Sequence, residues 1–185
     1  WDKFLWEKAN INFGRLLGAV HINKLEDARM ELAQIQSIHD KLKQMNESYK
    51  ANLVQIQIKT GTAWIKLKAG DEDEAIKLMT EAADMEDATA KHPVTPGEII
   101  PARELLADMY LETGDFANAL TAYEADLQRH PNRFNGLYGA GLALEKSGNS
   151  ERPNPYYAQL AAMTNASVSD RPQMRDRGSW IAGSP

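Results

Sequence analysis

The chain has 185 residues, of which 43% are hydrophobic and 25% charged, so it can bury a core within one domain or one short solenoid. Its net charge of -5 and the lack of a clustered basic stretch argue against nucleic acid as a partner. It has no cysteine, which excludes disulfides, thiolate metal sites and cysteine nucleophiles. No apolar run approaches the roughly 20 residues that span a bilayer, so we expect no membrane span. Because the sequence begins at Trp1 and not at methionine, we expect a processed form or a fragment.

A first helical hairpin is predicted over about residues 1–46. Apolar residues recur at helical spacing from Trp1 to about His21 and, after a turn near Asn23, again as far as Met45. Gly14 and Gly18 lie one turn apart in the first helix. The charged residues around them exclude a membrane dimer face, and we expect these glycines to permit close packing against another helix.

A second hairpin is predicted over residues 48–88. Gly70 ends its first helix, and Asp71 precedes its second helix in the N-cap position. The acidic run from Asp71 to Glu74 complements the dipole of that helix. It does not predict a calcium loop, because Ile76 occupies the position where such a loop needs glycine.

The best-formed unit is the hairpin predicted over residues 99–131. Both of its halves follow the i, i+3, i+4, i+7 spacing of an amphipathic helix. Gly114 is expected to end the first helix in a left-handed conformation, and Asp115 to cap the second. The apolar positions are Ala102, Leu105, Leu106, Met109 and Tyr110, then Phe116, Ala119, Leu120, Tyr123 and Leu127.

This unit resembles the tetratricopeptide repeat, whose signature is W-x2-L-G-x2-Y, then A-x3-F, then P, with a period of about 34 residues. Two residues depart from the usual pattern: Arg103 replaces the large aromatic residue, and Asp126 stands where a small residue is usual. We expect neither departure to break the helix pairing. The residues that correspond to the signature are Arg103, Leu106, Ala107, Tyr110, Ala119, Tyr123 and Pro131.

A fourth hairpin is predicted over residues 133–165, because the pattern of the third recurs 34 positions further on. Pro153 and Pro155 indicate that its final helix begins late, with a proline in the first turn. A short helix is expected from Pro172, with Trp180 and Ile181 docking on the last hairpin. The repeated residues are Ala140, Gly141, Leu144, Gly148 and Tyr157, which follow Leu106, Ala107, Tyr110, Gly114 and Tyr123.

From about Ala28 to Leu160 the chain also resembles uncharacterised bacterial tetratricopeptide-repeat proteins. The runs that carry this resemblance are Glu86 to Thr89, Lys91 to Gly97, Pro101 to Leu106, Asn132 to Phe134 and Leu137 to Ala140. The resemblance implies an all-α fold, a TPR-like right-handed superhelix of about four antiparallel hairpins over residues 1–165, with a C-terminal capping helix or tail over residues 166–185. It implies a soluble protein of a bacterial cytoplasm or periplasm, and it implies no activity.

The sequence lacks the nucleophile elbow, the phosphate-binding loop and the dinucleotide-binding glycine pattern, and its histidines do not have zinc-ligand spacing. We therefore predict no catalytic residue, no metal site and no cofactor. His92 is the one loop candidate, because it lies in a stiff linker near Glu86, Asp87 and Glu98. A histidine beside carboxylates can act as an acid, a base or a metal ligand.

Stacked helical hairpins leave a concave groove that is lined by the first helix of each pair. In relatives that hold the terminal carboxylate of a peptide this groove is basic, whereas the acids at i, i+4 and i+8 here would repel one. We therefore predict a non-catalytic scaffold for a basic or amphipathic protein or peptide. The predicted groove residues are Trp64, Lys68, Glu104, Asp108, Glu112, Asn135 and Tyr138.

Three alternatives to this function remain open. The first is an enzyme, or a protein that binds a small ligand or a metal, with its site around the His92–Glu98 loop and the acidic groove residues. The second is self-association through the terminal hairpin or the tail. The third is that the acids form an ordinary solvated helix face, because exposed charges are common.

Overall fold

The computed structural model of the protein describes residues 4–91, 98–148, 154–164 and 171–175, and its regular structure within those ranges is entirely helical. The prediction of an all-α protein is confirmed. None of the described helices combines the length and the hydropathy needed to cross a bilayer. The helices are α1 (Leu5–His21), α2 (Leu25–Gln44), α3 (Ser48–Lys68), α4 (Glu72–Asp87), α5 (Ala102–Thr113), α6 (Phe116–Arg129), α7 (Phe134–Lys146), α8 (Pro155–Thr164) and α9 (Pro172–Arg175).

The chain forms two compact units, Trp1–Leu105 (unit 1) and Leu106–Pro185 (unit 2). In unit 1, α1 packs against α2 and α3, and α3 packs against α4. In unit 2, α6 packs against α7, and α7 against α8.

The predicted turn residues have the indicated chemistry at Gly114, Asp115 and Asn23, whereas no side-chain hydrogen bond caps α4 at Asp71, whose carboxylate accepts from Lys66 Nζ at 2.7 Å. Gly114 and Gly148 follow α5 and α7 with φ of 84° and 80°. This left-handed region is costly for most residues and accessible to glycine. Asp115 caps α6, because its carboxylate accepts a hydrogen bond from the Asn118 backbone N–H at 3.2 Å. Asn23, which has a φ of 58°, forms the predicted turn between α1 and α2.

The glycines of α1 do not have the predicted role in packing. Gly14 and Gly18 are exposed, and a Cβ added at either one would have no described atom within 4 Å. The expectation that they pack closely against another helix is therefore wrong within the described chain. The close approach occurs instead at Gly61 of α3, where an added Cβ would lie 2.6 Å from Leu16 Cδ1. The apolar spacing of α1 does not reveal which of its small residues faces a neighbour.

Unit 1 is closed by polar contacts between the end of α4 and the start of α5. Arg103 binds two carboxylates, with N–O distances of 2.7 Å to Asp84 and of 2.5 and 3.0 Å to Asp87. Glu86 Oε1 accepts a hydrogen bond from the Ala102 backbone N–H at 2.7 Å. Arg103 therefore joins α4 and α5 through its charge.

The C-terminal part of unit 2 begins as the sequence predicts. Pro155 is the first residue of α8, where its missing N–H leaves no helical hydrogen bond unmade. In the short helix α9, Met174 packs against the apolar cluster that contains Leu137 and Leu160. Trp180 and Ile181 lie outside the described residues, so their docking stays a prediction.

Candidate functional site

Tyr123 of α6 joins three helices of unit 2. Its side chain is 1% exposed, and its ring packs on Gly139 of α7, where an added Cβ would lie 2.2 Å from the ring Cζ. Its hydroxyl donates a hydrogen bond to Asp108 Oδ1 of α5. Asp108 is thereby fixed beside the surface of α7 that carries Gly139.

Tyr157 of α8 also packs on α7, the helix that precedes its own. Its ring lies on Gly141, where an added Cβ would be 2.3 Å from Cε1, and its centroid is 6.0 Å from that of Tyr138. Its hydroxyl is 3.5 Å from Glu145 Oε2, at the outer limit of a hydrogen bond. Burial, followed by the charge of Glu145, raises the pKa of Tyr157 well above its usual value. The hydroxyl therefore stays protonated at neutral pH and can donate to a carboxylate.

These contacts define a surface that we call the α5–α7 face. Its members on α5 are spaced at i, i+3 and i+4, and its members on α7 at i, i+3, i+7 and i+10, so each set lies on one side of its helix. Three of its seven members are carboxylates, none is a lysine or arginine, and the others are an amide, a tyrosine and two leucines. The members are Asp108, Leu111 and Glu112 from α5, and Asn135, Tyr138, Leu142 and Glu145 from α7.

Four of the predicted groove residues belong to this face. Glu112 and Asn135 are exposed, whereas Asp108 and Tyr138 are half-buried. Asn135 lies one turn before Gly139, the residue under the Tyr123 ring, which places it near Asp108. Whether these residues bind a partner stays a prediction.

Glu104 does not line an open groove. It is 1% exposed, and its neighbours Pro101, Ala102 and Leu105 in the first turn of α5 are buried too. The i, i+4, i+8 spacing correctly aligns Glu104 with Asp108 and Glu112 along one side of α5. That spacing does not indicate that only the second half of this side reaches solvent.

The two groove candidates in unit 1 differ in exposure. Trp64 is 1% exposed, and its ring centroid lies 5.1 Å from that of His21. Its predicted position in an open groove is therefore wrong, because the indole forms part of the core between α1 and α3. Lys68 is half-buried in the last turn of α3.

His92 lies outside the described residues, so its predicted role stays a prediction. The carboxylates near it in sequence have other partners. Asp87 binds Arg103, Glu86 binds the backbone N–H of Ala102, and Glu98 forms a 3.0 Å ion pair with Lys91. The part of the chain that the structure describes contains no group of three or more acidic or histidine side chains arranged to hold a metal ion.

The side chains of Asp126 and His130 form a polar pair at the end of α6. Asp126 is 0% exposed, and its Oδ1 lies 2.8 Å from His130 Nδ1. The His130 ring thus binds a carboxylate one turn earlier and not the last carbonyls of α6. The i, i+4 spacing of the two residues was the available signal.

Comparison with known proteins gives no relative for this chain. No protein-family model, no curated protein and no solved structure matches it. The chemistry of the α5–α7 face is therefore interpreted from its own geometry.

Proposed function

We propose that this protein is a non-catalytic, TPR-like helical-repeat scaffold that binds a basic or amphipathic peptide on the α5–α7 face. The observation that carries the proposal is the pairing of buried tyrosines with acidic groups of that face. Tyr123 binds Asp108, and the Tyr157 hydroxyl lies beside Glu145. Both hydroxyls hold acidic side chains beside half-buried apolar groups.

The repeat assignment is supported by Gly114 and Gly148, which are 34 positions apart and both end a helix in the left-handed conformation. Tyr123 and Tyr157 have the same spacing, but Tyr123 packs on the helix that follows its own and Tyr157 on the helix that precedes its own. A period of about 34 residues with a helix-turn-helix unit is typical of tetratricopeptide repeats.

The charge and the side chains of the face favour a cationic partner. Its three carboxylates attract basic groups and would raise the association rate at low salt. The Tyr138 ring can contact a lysine or arginine through a cation–π interaction. The half-buried Leu111 and Leu142 offer apolar contacts, which favour a ligand with one apolar and one basic side.

A matched pair of helical peptides tests this proposal. One peptide carries leucine at i, i+3, i+4 and i+7 with lysine elsewhere, and the other carries glutamate in place of lysine. We expect the lysine peptide alone to bind the full chain, with an affinity that falls as salt is added. The variant E112Q/E145Q should weaken binding by about 1 to 2 kcal/mol, since each rim charge contributes up to about 1 kcal/mol.

The control for this experiment is E72Q, which removes an exposed acid of α4 in unit 1. This variant should bind the lysine peptide as tightly as the unmodified chain does. Equal binding of the glutamate peptide, or an E112Q/E145Q affinity equal to that of E72Q, would overturn the proposal. Light scattering of the same samples tests the remaining prediction of self-association.

A further inference from the structure

A second concave surface lies between α6 and α8 in unit 2. It is a cavity of about 470 Å³, which is within the range of small-ligand pockets. Leu127, Pro131 and Leu137 supply its apolar lining. Leu127 packs against both apolar clusters of unit 2, and Leu137 is buried. Because these residues belong to the core or border on it, the apolar part of the cavity is fixed by the fold.

Two hydrogen bonds cross between the walls of this cavity. The Tyr156 hydroxyl of α8 donates to Glu124 Oε1 of α6. Gln159 Nε2 of α8 donates to Asn132 Oδ1 in the turn after α6, at 3.0 Å. The polar groups at the two ends are therefore oriented before any ligand arrives, which lowers the entropic cost of binding.

The electrostatic character of the cavity is set by one residue. Among the described residues that line the cavity, Glu124 alone is charged at neutral pH, and none is a lysine, arginine or histidine. The remaining polar lining consists of the Tyr156 hydroxyl and the amides of Gln128, Asn132 and Gln159. Carboxylate and amide oxygens accept hydrogen bonds, so this lining selects a donor-rich cation over an anion.

We propose that this cavity binds a guanidinium group on a short alkyl stem, the chemistry of an arginine side chain. The planar group carries five N–H donors, which suit the carboxylate of Glu124 and the amide oxygen of Gln128. The stem lies on Leu127 and Pro131, and the guanidinium plane can stack on the Tyr156 ring. This site is independent of the α5–α7 face, because none of its lining residues belongs to that face.

The test uses three probes of similar size with the full chain, each titrated while amide NMR shifts are recorded. n-Butylguanidinium carries the charge, n-butylurea has nearly the same shape without it, and hexanoate carries the opposite charge. We expect n-butylguanidinium alone to shift the signals of residues 124–132 and 156–160. N-acetylarginine amide forms a fourth arm: tighter binding than n-butylguanidinium assigns the site to a peptide, and weaker binding assigns it to a free small molecule.

Two variants connect the response to this cavity. E124Q keeps the shape and an oxygen that can accept from Tyr156, and it should weaken n-butylguanidinium binding about tenfold, because a hydrogen bond to a charged group is worth roughly that factor. Q128R places a competing guanidinium at the cavity and should abolish binding. E72Q, which removes an exposed acid of α4 outside both proposed binding surfaces, is the matched control and should bind n-butylguanidinium normally.

Three results would overturn the proposal. The first is that n-butylurea or hexanoate binds as tightly as n-butylguanidinium. The second is that E124Q and E72Q have the same affinity for n-butylguanidinium. The third is that the shifts occur outside the cavity residues. If E112Q/E145Q no longer binds the lysine peptide but still binds n-butylguanidinium, this site is separate from the proposed scaffold function.

Discussion

Replacing Gly139 with alanine tests the packing of Tyr123 on α7 and, through it, the position of Asp108. An added Cβ would lie 2.2 Å from Cζ, 2.5 Å from the hydroxyl oxygen and 2.6 Å from Cε1 of Tyr123. The ring cannot move away easily, because it is buried and its hydroxyl is bound to Asp108. We therefore expect a steric cost near the upper end of the 1 to 3 kcal/mol that is typical of overpacking, or about 3 kcal/mol.

Helix propensity acts in the opposite direction. Alanine is favoured over glycine inside a helix by about 1 kcal/mol. G139A should then lower the free energy of unfolding by about 2 kcal/mol. G18A is the matched control, because Gly18 is also helical but exposed, with no described atom within 4 Å of an added Cβ. G18A should raise the free energy of unfolding by about 0.5 to 1 kcal/mol. The same glycine-to-alanine substitution is therefore expected to stabilise one site and destabilise the other.

Urea unfolding followed by circular dichroism measures both changes. The chain has two compact units, so each transition must be tested for two-state behaviour before free energies are compared. G139A should lower the stability of unit 2, and G18A should raise that of unit 1. A G139A protein that is as stable as the unmodified chain, or more stable, would refute the packing of Tyr123 on Gly139. If Tyr123 packs on Gly139, the stability change of Y123A/G139A should differ strongly from the sum of the two single changes. Without that packing, the two changes should add.

Two further predictions concern charged and titrating groups. R103M should destabilise unit 1 by about 1 to 3 kcal/mol, because it leaves the half-buried Asp87 without its guanidinium partner. Urea unfolding measures this change. A loss below about 0.5 kcal/mol, which is the value of an exposed ion pair, would contradict the prediction. Tyr157, whose pKa is raised by burial and by Glu145, should ionise well above the ordinary tyrosine pKa of about 10 in an alkaline absorbance titration, and Y157F should remove one such late step. Its contribution to stability is present below the ordinary tyrosine pKa of about 10 and is lost as the pH rises through the higher folded value. An unchanged alkaline limb in Y157F would contradict the assignment.

The helix pattern could be predicted from the sequence because its determinants are local. Gly114, Asp115 and Pro155 act within a turn of their own position, and each has the role that its chemistry indicates. The glycines of α7 have partners on two different helices, Tyr123 of α6 for Gly139 and Tyr157 of α8 for Gly141, which the local pattern does not identify.

The exposure of individual site residues could not be predicted in this way. Glu104 and Asp108 lie on the same side of α5, yet only the first is buried, because exposure depends on what packs over each turn. Trp64 follows the apolar spacing of the inner face of α3, and its burial against His21 of α1 agrees with that spacing and not with a groove position. The cavity between α6 and α8 involves Glu124 and Tyr156, which are 32 residues apart and carry no joint sequence signal.

The two departures from the repeat pattern have a common physical explanation. Arg103 stands where the signature has an aromatic residue, and its side chain is only 18% exposed. It is accommodated because two carboxylates of α4 bind it. Burial lowers the pKa of Arg103, but the carboxylates outweigh this effect and raise it. Asp126 replaces a small residue, and its burial is accompanied by the contact with His130. In both positions a polar group is tolerated because another side chain supplies its partner, from α4 for Arg103 and from one turn later for Asp126. The burial of Arg103 therefore depends on Asp84 and Asp87, which supply the opposite charge.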